Sequence, residues 1–127
     1  MTPQKEAFPK IILVVDDEPA ISRLMKDQLE ANGYAVITVE KGSEVLEVVK
    51  NTKLFAVLLD IGLPDIEGFQ VLQAIKKINQ SVPVIMVTGR HEESEGRKAF
   101  NLGAWDYVTK PVDFQYLTNI LLLQSTE

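Results

Sequence analysis

The chain has 127 residues, 46% of them hydrophobic and 24% charged, with a formal net charge of −5. That length suits one domain able to bury a real core, and the acidic balance argues against non-specific nucleic-acid binding, which needs Lys and Arg to neutralise phosphates. The lack of cysteine excludes disulfides and thiolate metal sites, and no apolar run approaches the ~20 residues that span a bilayer.

Met1 to Pro9 is polar, lacks the apolar core of a signal peptide and reads as a tail. A cytoplasmic location and no membrane partner are expected. Lys10 to Val15 predicts a first strand, apolar and rich in Val and Ile, as in strands buried on both faces. It runs into Asp16, Asp17, Glu18 and Pro19. Pro19 to Ala31 predicts a helix, because proline is tolerated in a first turn and Ile21, Leu24, Met25, Gln28 and Leu29 form a largely apolar stripe. Asn32 and Gly33 supply its stop. Tyr34 to Val39 predicts a second strand. Gly42 to Asn51 predicts a second helix, capped by Ser43, with Val45, Leu46, Val48 and Val49 buried.

Phe55 to Leu59 predicts the third strand, and Asp60 follows it. A loop from Ile61 to Asp65, containing Leu63 and Pro64, leads to a helix from about Glu67 to Ile78. Pro83 to Val87 predicts strand four, followed by Thr88. Gly89 to Ser94 reads as a polar, mobile connection, and a helix then runs to Leu102 and ends at Gly103. Trp105 to Val108 predicts a short fifth strand, with Lys110 just beyond it. Asp113 to Leu123 predicts a last helix capped by Asp113. Alternating strands and helices predict an α/β fold with one parallel, doubly wound, five-stranded sheet, helices on both faces and right-handed crossovers. Residues 10–124 form the expected domain and 125–127 a short tail.

In open parallel sheets, ligands bind beyond the carboxyl ends of the strands. If strands one and three are neighbours, Asp16, Asp17 and Asp60 converge there. Carboxylates so close repel unless a proton or cation neutralises them, and a hard divalent cation such as Mg²⁺ suits them. Thr88 and Lys110 end strands at the same edge. Each residue alone has a plainer reading: an acidic pair at a helix start, a turn threonine, a solvated lysine. Five at one sheet edge weaken those readings together.

The stretches Val14-Val15-Asp16-Asp17-Glu18-Pro19, Leu58-Leu59-Asp60-Ile61-Gly62-Leu63-Pro64-Asp65 with Gly68, Val87-Thr88-Gly89, and Gly103-Ala104-Trp105-Asp106-Tyr107-Val108-Thr109-Lys110-Pro111 stand in this order. Over nearly its whole length the chain thereby resembles the receiver domains of two-component response regulators. The resemblance implies the flavodoxin-like strand order 2-1-3-4-5, which periodicity does not supply. It implies that Asp60 is the phosphoacceptor, forming an acyl phosphate, and that Asp16, Asp17, Asp60 and the Gly62 carbonyl hold Mg²⁺. Lys110 would pair with a phosphoryl oxygen beside a cis bond to Pro111, and Thr88 would hydrogen-bond another. Thr88 and Tyr107 would form the switch, read out on the fourth helix, fifth strand and fifth helix. The implied partners are a histidine kinase or histidine phosphotransfer protein and a downstream effector domain or protein, with homodimerisation on activation among the outcomes. Any enzymatic activity would be confined to the domain's own phosphorylation and dephosphorylation.

Some positions depart from the pattern. Gly62 has no side chain to reach over a phosphoryl group, and Arg90 could overhang it instead. Val112 stands where many receivers have Phe, and Trp105 where they often have a smaller or acidic residue; Trp105 reads equally as a partner anchor or as packing against a helix. His91, the sole histidine, reads as surface rather than phosphodonor. Rival readings fit less well. A flavin-binding flavodoxin would need a Ser/Thr/Gly-rich cradle where Asp16-Asp17-Glu18 stands. A haloacid-dehalogenase-like phosphatase would need Asp-x-Asp after the first strand. A docking module that is never phosphorylated sits poorly with Asp60, Thr88 and Lys110 together. The sequence is compatible both with a complete single-domain regulator and with a receiver separated from its effector.

Overall fold

The structure, a computed structural model, describes residues 9–89 and 93–125. Five βα units follow one another: β1 (Ile11–Val15), α1 (Pro19–Ala31), β2 (Ala35–Val39), α2 (Val45–Asn51), β3 (Ala56–Leu59), α3 (Gly68–Ile78), β4 (Val84–Thr88), α4 (Glu93–Asn101), β5 (Asp106–Thr109) and α5 (Phe114–Ser125). The strands form one sheet in the order β2-β1-β3-β4-β5, and every neighbouring pair is parallel. This is the flavodoxin-like three-layer sandwich expected, with β1 and β3 side by side at its centre.

Strand side chains alternate between two faces, and the two hydrophobic clusters follow that alternation. Leu13, Val15, Val57, Leu59, Val84 and Met86 pack with residues of α2, α3 and α4, including Val45, Leu72, Ile75 and Ala99. Ile12, Val14, Ala56, Leu58, Ile85, Val87 and Val108 face the other way, onto Met25 and Leu29 of α1 and Leu117 and Leu121 of α5. Most of these side chains are wholly inaccessible, and burying each Leu, Ile or Val contributes about 1.5–3 kcal/mol. The sheet is thus fixed from both sides, and its C-terminal edge becomes a rigid platform.

The structure moves several expected details. All five strands begin one residue later than expected, and β4 and β5 run on to Thr88 and Thr109. Tyr34 lies just before β2, where its ring stacks on Phe55 with centroids 5.6 Å apart. On α1, Leu24 is exposed and so is Gln28, whereas Ser22 turns inward and donates to the Asp16 carbonyl at 3.3 Å. The second helix opens with a 3-10 turn, Gly42–Glu44. Ser43 does not cap it: the Gly42 and Ser43 amides donate to the Asp65 carboxylate at 2.8 and 3.0 Å. Leu46 and Val48 are only partly buried. Glu93 and Ser94, expected in a loop, are helical, while Arg90 and His91 lie outside the described residues. Gly33 and Gly103 end α1 and α4 with positive φ, +93° and +103°, which glycine adopts without steric cost. Asp113 does cap α5, accepting from the Tyr116 amide at 3.1 Å.

Candidate functional site

Three ladder-like backbone bonds set the site's frame. The Asp16 amide donates to the Val39 carbonyl at 3.1 Å, the Asp60 amide to the Val15 carbonyl at 3.0 Å, and the Lys110 amide to the Thr88 carbonyl at 2.8 Å. The residue after each of β1, β3 and β5 is therefore still held by the sheet. Asp16 and Asp60 are 1% and 7% exposed, and Asp17 is open to solvent. One carboxylate oxygen from each of the three lies within 4.8 Å of the others.

Lys110 crosses into this acidic group. Its Nζ stands 2.9 Å from Asp16 Oδ2, 2.9 Å from Glu18 Oε1 and 3.2 Å from Asp60 Oδ2. The other Asp60 oxygen accepts from the Gly62 amide at 3.1 Å, and Asp16 Oδ1 accepts from the Glu18 amide at 2.9 Å. Burial would lower the Lys110 pKa, but Glu18, Asp16 and Asp60 outweigh it and raise the value, so the ammonium keeps its proton throughout the neutral range. Burial pushes the Asp16 carboxyl up, against the opposing pull of Lys110 and the Glu18 amide, and the nearby Asp60 charge adds to the rise.

The donor set fits a hard divalent cation. Asp16 Oδ2 is buried and, although Lys110 lies at ion-pair distance, no donor is directed squarely onto it. That oxygen keeps lone-pair capacity where desolvation already disfavours bare negative charge. Of the four carboxylates of Asp16, Asp17, Glu18 and Asp60, three share the one ammonium of Lys110. A small oxygen-seeking ion such as Mg²⁺ relieves the imbalance.

The remaining expected site residues take a different side of the sheet. Thr88 is 2% exposed at the end of β4, opposite Thr109, while Tyr107 pairs with Met86. By the two-residue period, Thr88 and Tyr107 share the α2–α3–α4 face, and Tyr107 packs against that face's cluster. Lys110 reaches Asp16 and Asp60 on the other side. Trp105 precedes β5 instead of lying within it and is 38% exposed; Phe100 on α4 and Tyr116 on α5 are exposed as well. The Tyr116 hydroxyl donates to Asp106 Oδ2 at 2.6 Å, tying α5 to β5. The Lys110–Pro111 bond is cis, and Val112 packs against the α1–α5 cluster.

Two residues were missed from sequence. Glu18 anchors Lys110 across 92 positions; its place directly after the acidic doublet is the one signal that could have pointed to it. Asp65 gives no local signal, since its partners lie 22 and 23 residues away.

The family described as "Response regulator receiver domain" matches residues 12–122. This chain belongs to that family. Among curated relatives, the receiver is 39% identical over 102 residues to the alkaline phosphatase synthesis transcriptional regulatory protein PhoP of Bacillus subtilis, covering 80% of this chain and 42% of PhoP. It is 40% identical over 101 residues to the transcriptional regulatory protein KdpE of Mycobacterium tuberculosis, covering 80% of this chain and 44% of KdpE. The chain thus spans less than half the length of these relatives. A CheY-like receiver domain protein from Methanospirillum hungatei superposes with a TM-score of 0.85 at 33% identity, over 94% of this chain and 98% of that one. The response regulator TrrA from Thermotoga maritima, in complex with Mg²⁺ and BeF, gives 0.82 at 33% identity, over 91% and 98% of the two chains. The acidic pocket of this receiver is compatible with phosphorylation and Mg²⁺. No helix among the described residues is long and apolar enough to cross a membrane.

Proposed function

We propose that this receiver is a phosphorylation-dependent switch in which Asp60 accepts a phosphoryl group from the histidine of a partner kinase or phosphotransfer protein. The observation that carries this reading is the convergence of Asp16, Asp17 and Asp60 on one spot with the Lys110 ammonium among them. In the transfer, a carboxylate oxygen of Asp60 bonds to phosphorus as the phosphorus–nitrogen bond of the donor imidazole breaks, and the imidazole leaves with a proton. Asp16, Asp17, Asp60 and the Gly62 carbonyl would hold Mg²⁺, as the Mg²⁺ in the TrrA complex supports. Once bound, the ion supplies positive charge that lets an anionic phosphoryl group approach the carboxylates. Lys110, already poised 3.2 Å from Asp60 Oδ2, turns from its carboxylate partners to a phosphoryl oxygen. Thr88 donates to another. The work is positioning and charge neutralisation, as expected for phosphoryl transfer.

Phosphorylation adds roughly −1.5 to −2 charge at one point. Thr88 responds to it, and Tyr107, on the same sheet face, follows. The change is read on α4, β5 and α5, where Trp105 offers an aromatic anchor to an effector or a second copy. The unit spans residues 10–124 and acts in the cytoplasm. Its output passes to an effector domain or protein, in keeping with the transcriptional regulatory relatives. Adding a small phosphodonor with Mg²⁺ tests the reading: one phosphoryl group should appear on Asp60 and none on Asp60→Asn. An undiminished gain in that variant would place the nucleophile elsewhere.

A further inference from the structure

Gly62 belongs to an eight-residue connection, residues 60–67, between β3 and α3, and both ends of that connection are pinned. At its base, the Gly68 amide donates to the Ile61 carbonyl at 2.8 Å. At its tip, Asp65 reaches out of the loop to the start of the second helix. Its Oδ1 accepts from the Gly42 amide at 2.8 Å and from the Ile66 amide at 3.0 Å, and its Oδ2 from the Ser43 amide at 3.0 Å. The opposing side of the joint is equally close-fitting. A Cβ on Gly42 would stand 2.9 Å from Val71 Cγ2 and 3.1 Å from Ile66 Cβ, so Gly42 lets the two segments meet. Ile61, Leu63 and Ile66 contribute apolar packing, which resists lifting of the loop but does not fix its azimuth. The directed bonds of Asp65 do.

We propose that Asp65 is a positioning residue for the metal site: by tethering the β3–α3 loop to the amides of Gly42 and Ser43, it fixes where the Gly62 carbonyl points. This rests on the reading above, in which that carbonyl is a Mg²⁺ ligand. Asp65 touches neither metal nor phosphoryl group. Its influence runs through the three-residue span from Gly62 to Asp65, much as outer-sphere partners orient the ligands of metal sites. Two carboxylate oxygens matter because each serves a different helix-start amide; one oxygen would leave the loop free to swing about a single bond. The exposed carboxyl is held down to about 2: slight desolvation works against this, but the bonds from the Gly42 and Ser43 amides prevail. The tether is therefore charged at any working pH.

Calorimetric titration of Mg²⁺ into the wild type, Asp65→Ala and Asp65→Asn tests this, with amide hydrogen exchange followed at Gly42 and Ser43. Asp65→Ala should weaken Mg²⁺ binding about tenfold, the low end for outer-sphere changes, and should speed exchange at both amides. The Mg²⁺ concentration for half-maximal phosphorylation by a small phosphodonor should rise in step, with a far smaller change in the rate at saturating Mg²⁺. Asp65→Asn, which keeps one acceptor oxygen, should recover part of the affinity and protect one amide. Gly42→Ala, which wedges the joint from its other side, should mimic Asp65→Ala. Faster exchange with unaltered Mg²⁺ affinity would overturn the inference and leave Asp65 as a helix cap only. If the wild type itself neither bound Mg²⁺ nor gained a phosphoryl group, the function proposed above would fall, and this inference with it.

Discussion

Lys110 holds three carboxylates within 3.2 Å of one ammonium, and its loss should be felt in two ways. Lys110→Ala leaves Asp16 and Asp60 buried without their cation. Removing one partner of a fully buried pair costs about 3–5 kcal/mol, and the partial exposure of Lys110 reduces this to roughly 2 kcal/mol in urea unfolding of metal-free protein. Saturating Mg²⁺ should restore most of that stability, while phosphorylation of Asp60 stays about a hundredfold slow. Asp16 behaves oppositely. Its folded pKa lies above its ordinary value of 3.8, so between the two values the native state binds more protons than the unfolded one, and stability falls as pH rises through that window. Above it, the ionised group is a net cost. Asp16→Asn should therefore stabilise the metal-free protein at neutral pH by about 1 kcal/mol. The gain should vanish below pH 3.8 and should be accompanied by loss of Mg²⁺ binding. Equal stability of variant and wild type at neutral pH would show that Lys110 fully offsets the burial of Asp16.

At the scale of elements, α3 is seated against the end of β3 through a missing side chain. A Cβ on Gly68 would overlap the Asp60 carbonyl oxygen and stand 2.6 Å from Ile61 Cα, and backbone cannot yield as a flexible side chain can. Gly68→Ala should lower stability by about 1–3 kcal/mol, the usual cost of overpacking, and slow phosphorylation because α3 and Asp60 must part. Urea unfolding alongside phosphodonor kinetics checks both. The elements themselves were legible. Strands β1, β3 and β4 are short runs of Val, Ile and Leu bounded by acids, Thr or Pro, and Asp113 announced α5. What failed were contacts set by distant segments. Ser43 has the chemistry of a cap, yet Asp65, closing a loop in the next βα unit, takes the amides instead. Leu24 has the spacing of a core residue, yet it is exposed while its neighbour Met25 is buried. No local pattern encodes either outcome.

For the whole molecule, Mg²⁺ held as proposed would be a stabilising ligand as well as a cofactor. At a free concentration of 100 times its dissociation constant it should add about 2.7 kcal/mol to unfolding. Thermal melts with Mg²⁺ and with a chelator check this, and an unchanged midpoint would place the acidic cluster outside any metal role. Strand order was legible only through family resemblance, because periodicity says that strands exist and not which lie together. The candidate site residues stood out in sequence because the ends of four strands, β1, β3, β4 and β5, carried polar groups. The division of those residues between faces did not, since it depends on register.

That division has a consequence for β5. Tyr107 and Lys110 are three positions apart, an odd spacing that places them on opposite faces of the sheet, one beside α4 and the other among the acids next to α1. A single residue gained or lost between them would make the spacing even and bring both to the same side. Such a variant would differ by a single residue, yet its cation or its aromatic ring would be delivered to the wrong compartment. In this short stretch the count of residues is as much a part of the message as their identity.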